Sequence, residues 1–173
     1  SRAGEKAARQ SGADPVHGVG DDPLANAACP YAPARDEHWS AAAGSGALRN
    51  GIAISPSLRT LLPGARVPAD IVPKVDSDLI MVEKPNSIAL RMAMVGAGEA
   101  DLVATLRWGF EWDIAAAALI AEEAGATVTD ARGNTLRYNS TRGDAFGVLV
   151  ATPGIHAAAV SRLADRANSA FAR

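Results

Sequence analysis

The sequence predicts an α/β domain, a mixed sheet flanked by helices, on three observations. Short apolar runs of strand length alternate with helix-length segments along the second half of the chain. Gly-rich and Asn-Gly punctuation falls between them. Apolar residues make up 48% and charged residues 21% of 173 residues, which supports one domain with a real core. Residues 1–23, rich in Gly, Asp, Arg and Ala without periodicity, are expected to be irregular, and residues 24–173 to form the domain.

The elements follow in chain order. Segments 27–34, 37–43 and 51–55 read as strands, with turns at Gly44-Ser45-Gly46 and Asn50-Gly51. A stretch carrying Pro56, Pro63, Pro68 and Pro73 separates them from a buried strand at Leu79–Lys84. Ser87–Gly98 reads as a broadly buried helix, with Ile88, Leu90, Met92 and Val95 as its apolar positions. Residues 99–106 read as a strand and Asp113–Gly125 as a helix with Gly125 as its stop. Strands at 126–131 and 135–139 flank a turn at Arg132-Gly133-Asn134. A last strand at 146–152 leads into a closing helix that starts at Pro153.

Composition excludes several classes of function. The formal net charge is -2 and no basic stripe is present, which argues against polymeric nucleic acid. The longest apolar run, Ile114–Ala121, falls far short of the roughly 20 residues a membrane span needs. The first residues lack the apolar core of a secretory signal. The single cysteine, Cys29, has no partner for an internal disulfide and is expected to be a small buried side chain. A reduced, cytoplasmic setting is the expectation. His38 and His156, on a strand and the closing helix, are expected to be structural or exposed. Glu122 and Glu123 are expected at the exposed end of a helix, where either could meet a basic partner.

The segment with chemical content is WDIAAAALIAEEAGATVTD, Trp112 to Asp130. Asp113 stands where a helix N-cap belongs, so its carboxylate is expected to accept hydrogen bonds from the first free N–H groups. The helix dipole favours the charged carboxylate there. The helix behind it is apolar almost all round and should be buried. A carboxylate held ionised at such a place is suited to a hard cation such as magnesium, and a helix start also attracts phosphate. The spacing alone favours a plain helix cap over a ligand.

This stretch resembles the second signature of the inositol monophosphatase superfamily. Trp112-Asp113, the paired alanines, Glu123-Ala124-Gly125 and Asp130 recur at the family's spacing, with Ala126 where a second glycine is common. Upstream, the block from Lys84 to Val103 is similar to the family's substrate-loop block, with Asn86 at its glycine, Ser87 at the small polar position, and Gly98 and Asp101 at its end. The similarity runs over about residues 24–166, and Leu136–Asn139 leans towards bacterial bisphosphate nucleotidases of the CysQ type. The resemblance implies the C-terminal portion of a layered α/β/α/β sugar-phosphatase fold. It implies Asp113 as a metal ligand, Asn86 and Ser87 as substrate-binding residues, and Arg107 near the substrate. It implies Mg2+ as cofactor, a small phosphate ester as substrate, and a homodimer as a partner arrangement.

The family's other metal-binding elements have no clear counterpart. Its Gly-Glu-Glu element is absent. Asp14-Pro15-Val16-His17-Gly18-Val19 echoes its D-P-I-D-G-T motif, but His17 replaces the second aspartate and Val19 the threonine. The expectation is a phosphate monoester hydrolase of the inositol monophosphate or 3′-phosphoadenosine nucleotide class, weakly active or inactive as this chain. The alternative is a non-catalytic structural or dimerising domain.

Overall fold

The structure, a computed structural model, describes residues 27–172. The expected irregular segment 1–23 and the Asp14–Val19 echo lie outside the described residues.

Ten strands and three α-helices are built in this part of the chain: β1 (Ala27–Ala28), β2 (Tyr31–Ala32), β3 (Glu37–Ala42), β4 (Ala47–Arg49), β5 (Ile52–Ala53), β6 (Arg66–Pro68), β7 (Ile80–Val82), α1 (Ile88–Gly96), β8 (Leu102–Phe110), α2 (Ala115–Ala124), β9 (Thr127–Thr129), β10 (Asp144–Ala151) and α3 (Pro153–Phe171). The α/β class holds, but the strands form three sheets rather than one. β1, β3, β4 and β5 form an antiparallel sheet to which β2 adds through β3. β8, β10 and β9 form a second antiparallel sheet, and β6 pairs β7 in parallel.

Three apolar clusters set the layering. Ala28, Trp39, Ala41 and Ala47 of the first sheet pack on Ala93 of α1 and on Ala116, Leu119 and Ile120 of α2. The other sides of α1 and α2 offer Met92, Val95, Ala117 and Ala121 to Val103, Val128, Val148 and Val150 of the second sheet. Leu102, Leu149 and Ala151 of that sheet join Ile155, Ala159 and Leu163 of α3. The order is sheet, helix pair, sheet, helix. An α2 that is sandwiched between two sheets must be apolar on both sides, which is why Ala115 to Ala121 are all buried.

Local chemistry accounts for the joints. Asn50 and Gly51 both take positive φ (49° and 76°), the geometry of a tight hairpin turn between β4 and β5. Gly125 closes α2 in the left-handed region (φ 107°), and Ala126 N–H donates to the Ala121 carbonyl at 2.8 Å. β10 bulges between Phe146 and Val148. Gly147 at that bulge has φ 62°, and a Cβ there would lie 2.1 Å from the Thr105 carbonyl oxygen.

Several expectations are corrected. Cys29 is exposed, because Ala28 turns inward and its neighbours face out. The 79–84 strand is not buried: Ile80 and Met81 are 52% and 51% exposed, since β7 pairs only with β6. Residues 135–139 form no strand; Asn139 takes φ 63°, which breaks an extended run, although Leu136 is buried. The 99–106 and 146–152 strands are longer or shifted, with the β8–β10 ladder reaching Phe110 opposite Asp144. No helix among the described residues is long and apolar enough to cross a membrane.

Candidate functional site

Asp113 does not cap α2 as the sequence suggests. The long β8 ladder carries extended chain to Phe110, so the backbone must turn before a helix can begin. It does so in a single 3-10 turn, Glu111–Asp113, and buried Ile114 takes the N-cap position with no side-chain cap hydrogen bond. Ile114 is held there by its place in the core beneath α1 and α2. Asp113 is thereby left exposed, its carboxylate not spent on the helix end. Trp112 stacks on Phe110 at 4.3 Å between ring centres and forms the rim beside it.

Asn86 and Ser87 open α1 on a facing loop. Ser87 is the true N-cap here: its Oγ accepts the Leu90 N–H at 3.2 Å. Asp113, Asn86 and Ser87 line one cavity of about 410 Å³, whose apolar wall includes Tyr31, Trp39 and Trp112. That volume falls in the range of small-molecule sites, and its make-up, apolar walls with a few convergent polar groups, is what such sites require. The Trp39 indole N–H is buried without a hydrogen-bond partner among the described residues.

Arg107, on β8, does not line this first cavity. It faces two adjoining ones. In a cavity of about 300 Å³ it shares the lining with Asp113 and Ile88. In another of about 500 Å³ it meets Lys84, Asn86, Arg91 and Thr105. Asn86 lines the first and third of these spaces and Asp113 the first and second, so the three adjoin one another. Sequence reasoning missed Lys84 and Arg91. Arg91 lies one helical turn beyond Ser87 and is half-buried; its guanidinium donates to the Asn86 and Ser87 carbonyls at 3.4 Å. The available signal was a basic residue at i+4 from a predicted phosphate-facing cap.

Other conspicuous groups are structural. Asp101 is 1% exposed and accepts hydrogen bonds from Ser57 Oγ (2.6 Å), Arg66 N–H (2.8 Å) and the Arg66 guanidinium. Burial pushes its carboxyl up, but the Arg66 and Ser57 hydrogen bonds outweigh it and hold the pKa at about 2. Glu123 meets no basic partner among the described residues; its carboxylate accepts the N–H groups of Gly44, Ser45 and Gly46 at 2.9–3.1 Å and ties α2 to the β3–β4 hairpin. Glu122 is exposed, as expected. His38 stacks on Tyr31, and His156 Nε2 lies 3.0 Å from Thr129 Oγ1. Asp130 organises the turn after β9 by accepting Arg132 and Asn134 N–H at 2.8 and 2.9 Å. Glu111, also unforeseen, is buried and accepts the Ser140 N–H at 3.3 Å.

The donor set decides what ion the cavity suits. Among the described residues no group of three or more His, Cys, Asp or Glu side chains is placed to hold a metal. Asp113 brings one carboxylate to the cavity. One carboxylate with water and phosphate oxygens fits a single magnesium ion; it does not fit a site that fixes more than one.

Comparison with known proteins identifies relatives of the sequence and of the fold. The sequence pattern of the inositol monophosphatase family matches residues 18–173. An inositol monophosphatase of Dictyostelium discoideum is 32% identical over 145 residues, covering 74% of this chain and 51% of that protein. Inositol monophosphatase 2 of Solanum lycopersicum is 30% identical over 127 residues, covering 65% of this chain and 48% of its own length. The solved structure of an IMPase from Thermotoga maritima superposes with a TM-score of 0.72 at 26% identity, over 86% of this chain and 59% of that one. The chain thus spans about half the length of the curated relatives it matches. The CysQ-type branch draws no specific support from these relatives.

Proposed function

Because the chain belongs to the inositol monophosphatase family, we propose that it carries the substrate loop and one metal-binding carboxylate of a magnesium-dependent phosphate monoester hydrolase. The observation that supports this most directly is the convergence of Asp113, Asn86 and Ser87 on one cavity. The proposed substrates are small phosphate esters, of the inositol monophosphate or 3′-phosphoadenosine nucleotide class.

Each residue has a task that its position suits. Asp113, exposed beside the cavity, would hold magnesium through a carboxylate oxygen. When bound, the ion would neutralise phosphate charge and polarise the phosphorus–oxygen bonds. Ser87 fixes the start of α1, whose first N–H groups lack partners within the helix and favour an anion. The Asn86 amide at the same lip can donate to a phosphate or sugar oxygen. The apolar wall excludes water from one side of the ligand.

A second reading, a non-catalytic domain that binds phosphate esters or pairs with a second copy, has one observation in its favour: the described residues bring a single carboxylate to the cavity. That donor set leads us to propose that this chain alone turns over little substrate. The test is phosphate release by the purified chain from inositol monophosphate and from 3′-phosphoadenosine 5′-phosphate in millimolar magnesium, beside calorimetric binding of the same esters. Expected are magnesium-dependent binding that Asp113→Asn weakens about tenfold, the effect of losing one charge-assisted contact, and near-background release. Rapid release abolished by Asp113→Asn would refute the low-activity proposal and the non-catalytic reading together. Binding indifferent to magnesium and to Asp113→Asn would refute the metal-ligand assignment.

A further inference from the structure

The Asp113 carboxylate reaches the cavity without a hold of its own. It is exposed, caps no helix end and forms no salt bridge among the described residues. Its direction is therefore inherited from the chain on either side. On the C-terminal side Ile114 is buried in the core, and its N–H donates to the Glu111 carbonyl at 3.2 Å. On the N-terminal side the anchor is a loop distant in sequence, Ser140–Gly143, and Glu111 grips it twice. The Glu111 backbone N–H donates to the Gly143 carbonyl at 3.0 Å, and both oxygens of its carboxylate accept the Ser140 N–H at 3.3 Å. The loop is itself tight: the Gly143 N–H donates to the Ser140 carbonyl and to its Oγ, each at 3.1 Å. Trp112 lies against it, so that a Cβ at Gly143 (φ 65°) would stand 3.1 Å from Trp112 Cζ3.

A single 3-10 turn is a weak device for aiming a ligand, because its hydrogen bonds are poorly aligned and here no side chain caps it. The turn that carries Asp113 needs ties from outside, and Glu111 supplies them from a buried position, 6% exposed. We propose that Glu111 is a positioning residue of the candidate metal site: by clamping the Glu111–Asp113 turn to the Ser140–Gly143 loop, it aims the Asp113 carboxylate into the cavity. The loop contributes no lining residue to any of the three adjoining cavities. It acts on the site only through the turn. Glu111 stands to Asp113 as the outer partners of other metal sites stand to their ligands, by fixing orientation and not by touching the ion.

This inference rests on Asp113 binding a divalent cation, and the experiment separates the two. The probe is Mn2+, which suits the same oxygen donors as magnesium and is followed directly by electron paramagnetic resonance. The wild-type chain, Asp113→Asn, Glu111→Ala, Glu111→Gln, Gly143→Ala and the double variant Glu111→Ala/Asp113→Asn are titrated at a temperature where circular dichroism shows each to be folded. Glu111→Ala is expected to weaken Mn2+ binding about tenfold, the low end for loss of an outer partner. Glu111→Gln keeps an oxygen that accepts the Ser140 N–H, and its affinity is expected to stay within about threefold of the wild type. Gly143→Ala removes no polar group but sets a methyl against Trp112 at a positive φ, and is expected to weaken binding by about threefold or more. In the Asp113→Asn background Glu111→Ala is expected to cause no further loss, since its route to the ion runs through Asp113. Unchanged affinity in Glu111→Ala, or in Gly143→Ala where Glu111→Ala does not fold, overturns the proposal and leaves Asp113 as the ligand. A loss in Glu111→Gln as deep as in Glu111→Ala also overturns it, because charge and not the clamp then acts on the ion. A further loss in the double variant overturns it as general damage to the fold. If the wild-type chain binds no Mn2+, or Asp113→Asn binds it equally well, the metal-ligand assignment fails and the positioning role with it.

Discussion

At the scale of single residues, the sequence pattern separates carboxylates poorly, because a motif fixes identity and not surroundings. Asp101 and Asp113 both fall at positions of the family pattern, yet their environments are opposite. Asp101 is locked under Arg66 and Ser57. Asp113 is exposed at a cavity. The two therefore predict opposite phenotypes. Asp101→Asn leaves the Arg66 guanidinium facing a neutral amide in a buried place, and is expected to destabilise the chain by about 3 kcal/mol, at the low end for a broken buried pair because Arg66 is partly solvated. Chemical denaturation reads this directly, and a loss under 1 kcal/mol would show the pair to be dispensable. Asp113→Asn is expected to leave the denaturation midpoint unchanged while weakening magnesium-linked binding.

At the scale of elements, much was legible where hydrophobic pattern and cap chemistry agreed. α2 and its Gly125 stop follow from an apolar run closed by glycine, and α1 follows from Ser87 three residues before Leu90. What was not legible depends on partners distant in sequence. The β8 ladder overrides the expected cap at Asp113, because pairing with residues 144–146 keeps the chain extended to Phe110. Arg107 could be placed near the site from the motif, but Lys84 and Arg91 join it only through the packing of α1 beside β8. Glu123 is the clearest case: on the helix it reads as surface charge, and only the fold brings the hairpin's three N–H groups to it across 77 to 79 residues. Those bonds draw the Glu123 carboxyl below its usual range, through Gly44 first. Glu123→Ala is expected to cost about 1–2 kcal/mol, moderated by solvent at this half-buried place. It is also expected to speed amide exchange at residues 44–46 selectively. Uniform loss of protection along α2 instead would mean that the residue supports the helix and not the hairpin.

At the scale of the whole molecule, the perturbed groups define how stability responds to acid. His156 is half-buried, and burial holds its pKa below the ordinary histidine value. The unfolded chain then takes up its proton first, so stability present above about pH 6.5 declines as pH falls below that value and levels off below the folded-state pKa. Asp101, Asp78 and Glu123 are also depressed in the folded chain, Asp101 to about 2. Their contribution is fully present above the ordinary carboxylate range and is lost as pH falls from about 4 towards 2. For Asp101 the depression corresponds to about 2 kcal/mol, a difference of nearly two pKa units in a side chain that is 1% exposed. Denaturant midpoints measured from pH 8 to pH 2.5 are therefore expected to fall in two stages, an upper one from His156 and a lower one from the carboxylates. His156→Gln, which keeps a hydrogen-bonding group beside Thr129, is expected to remove the upper stage and preserve the lower one. Asp101→Asn lowers the curve above pH 4 and makes it shallower below, where only Asp78 and Glu123 of these three carboxylates remain to protonate. A single transition centred above pH 5, unchanged by either substitution, would show that other groups govern the acid response and that the Asp101–Arg66 lock contributes little to it.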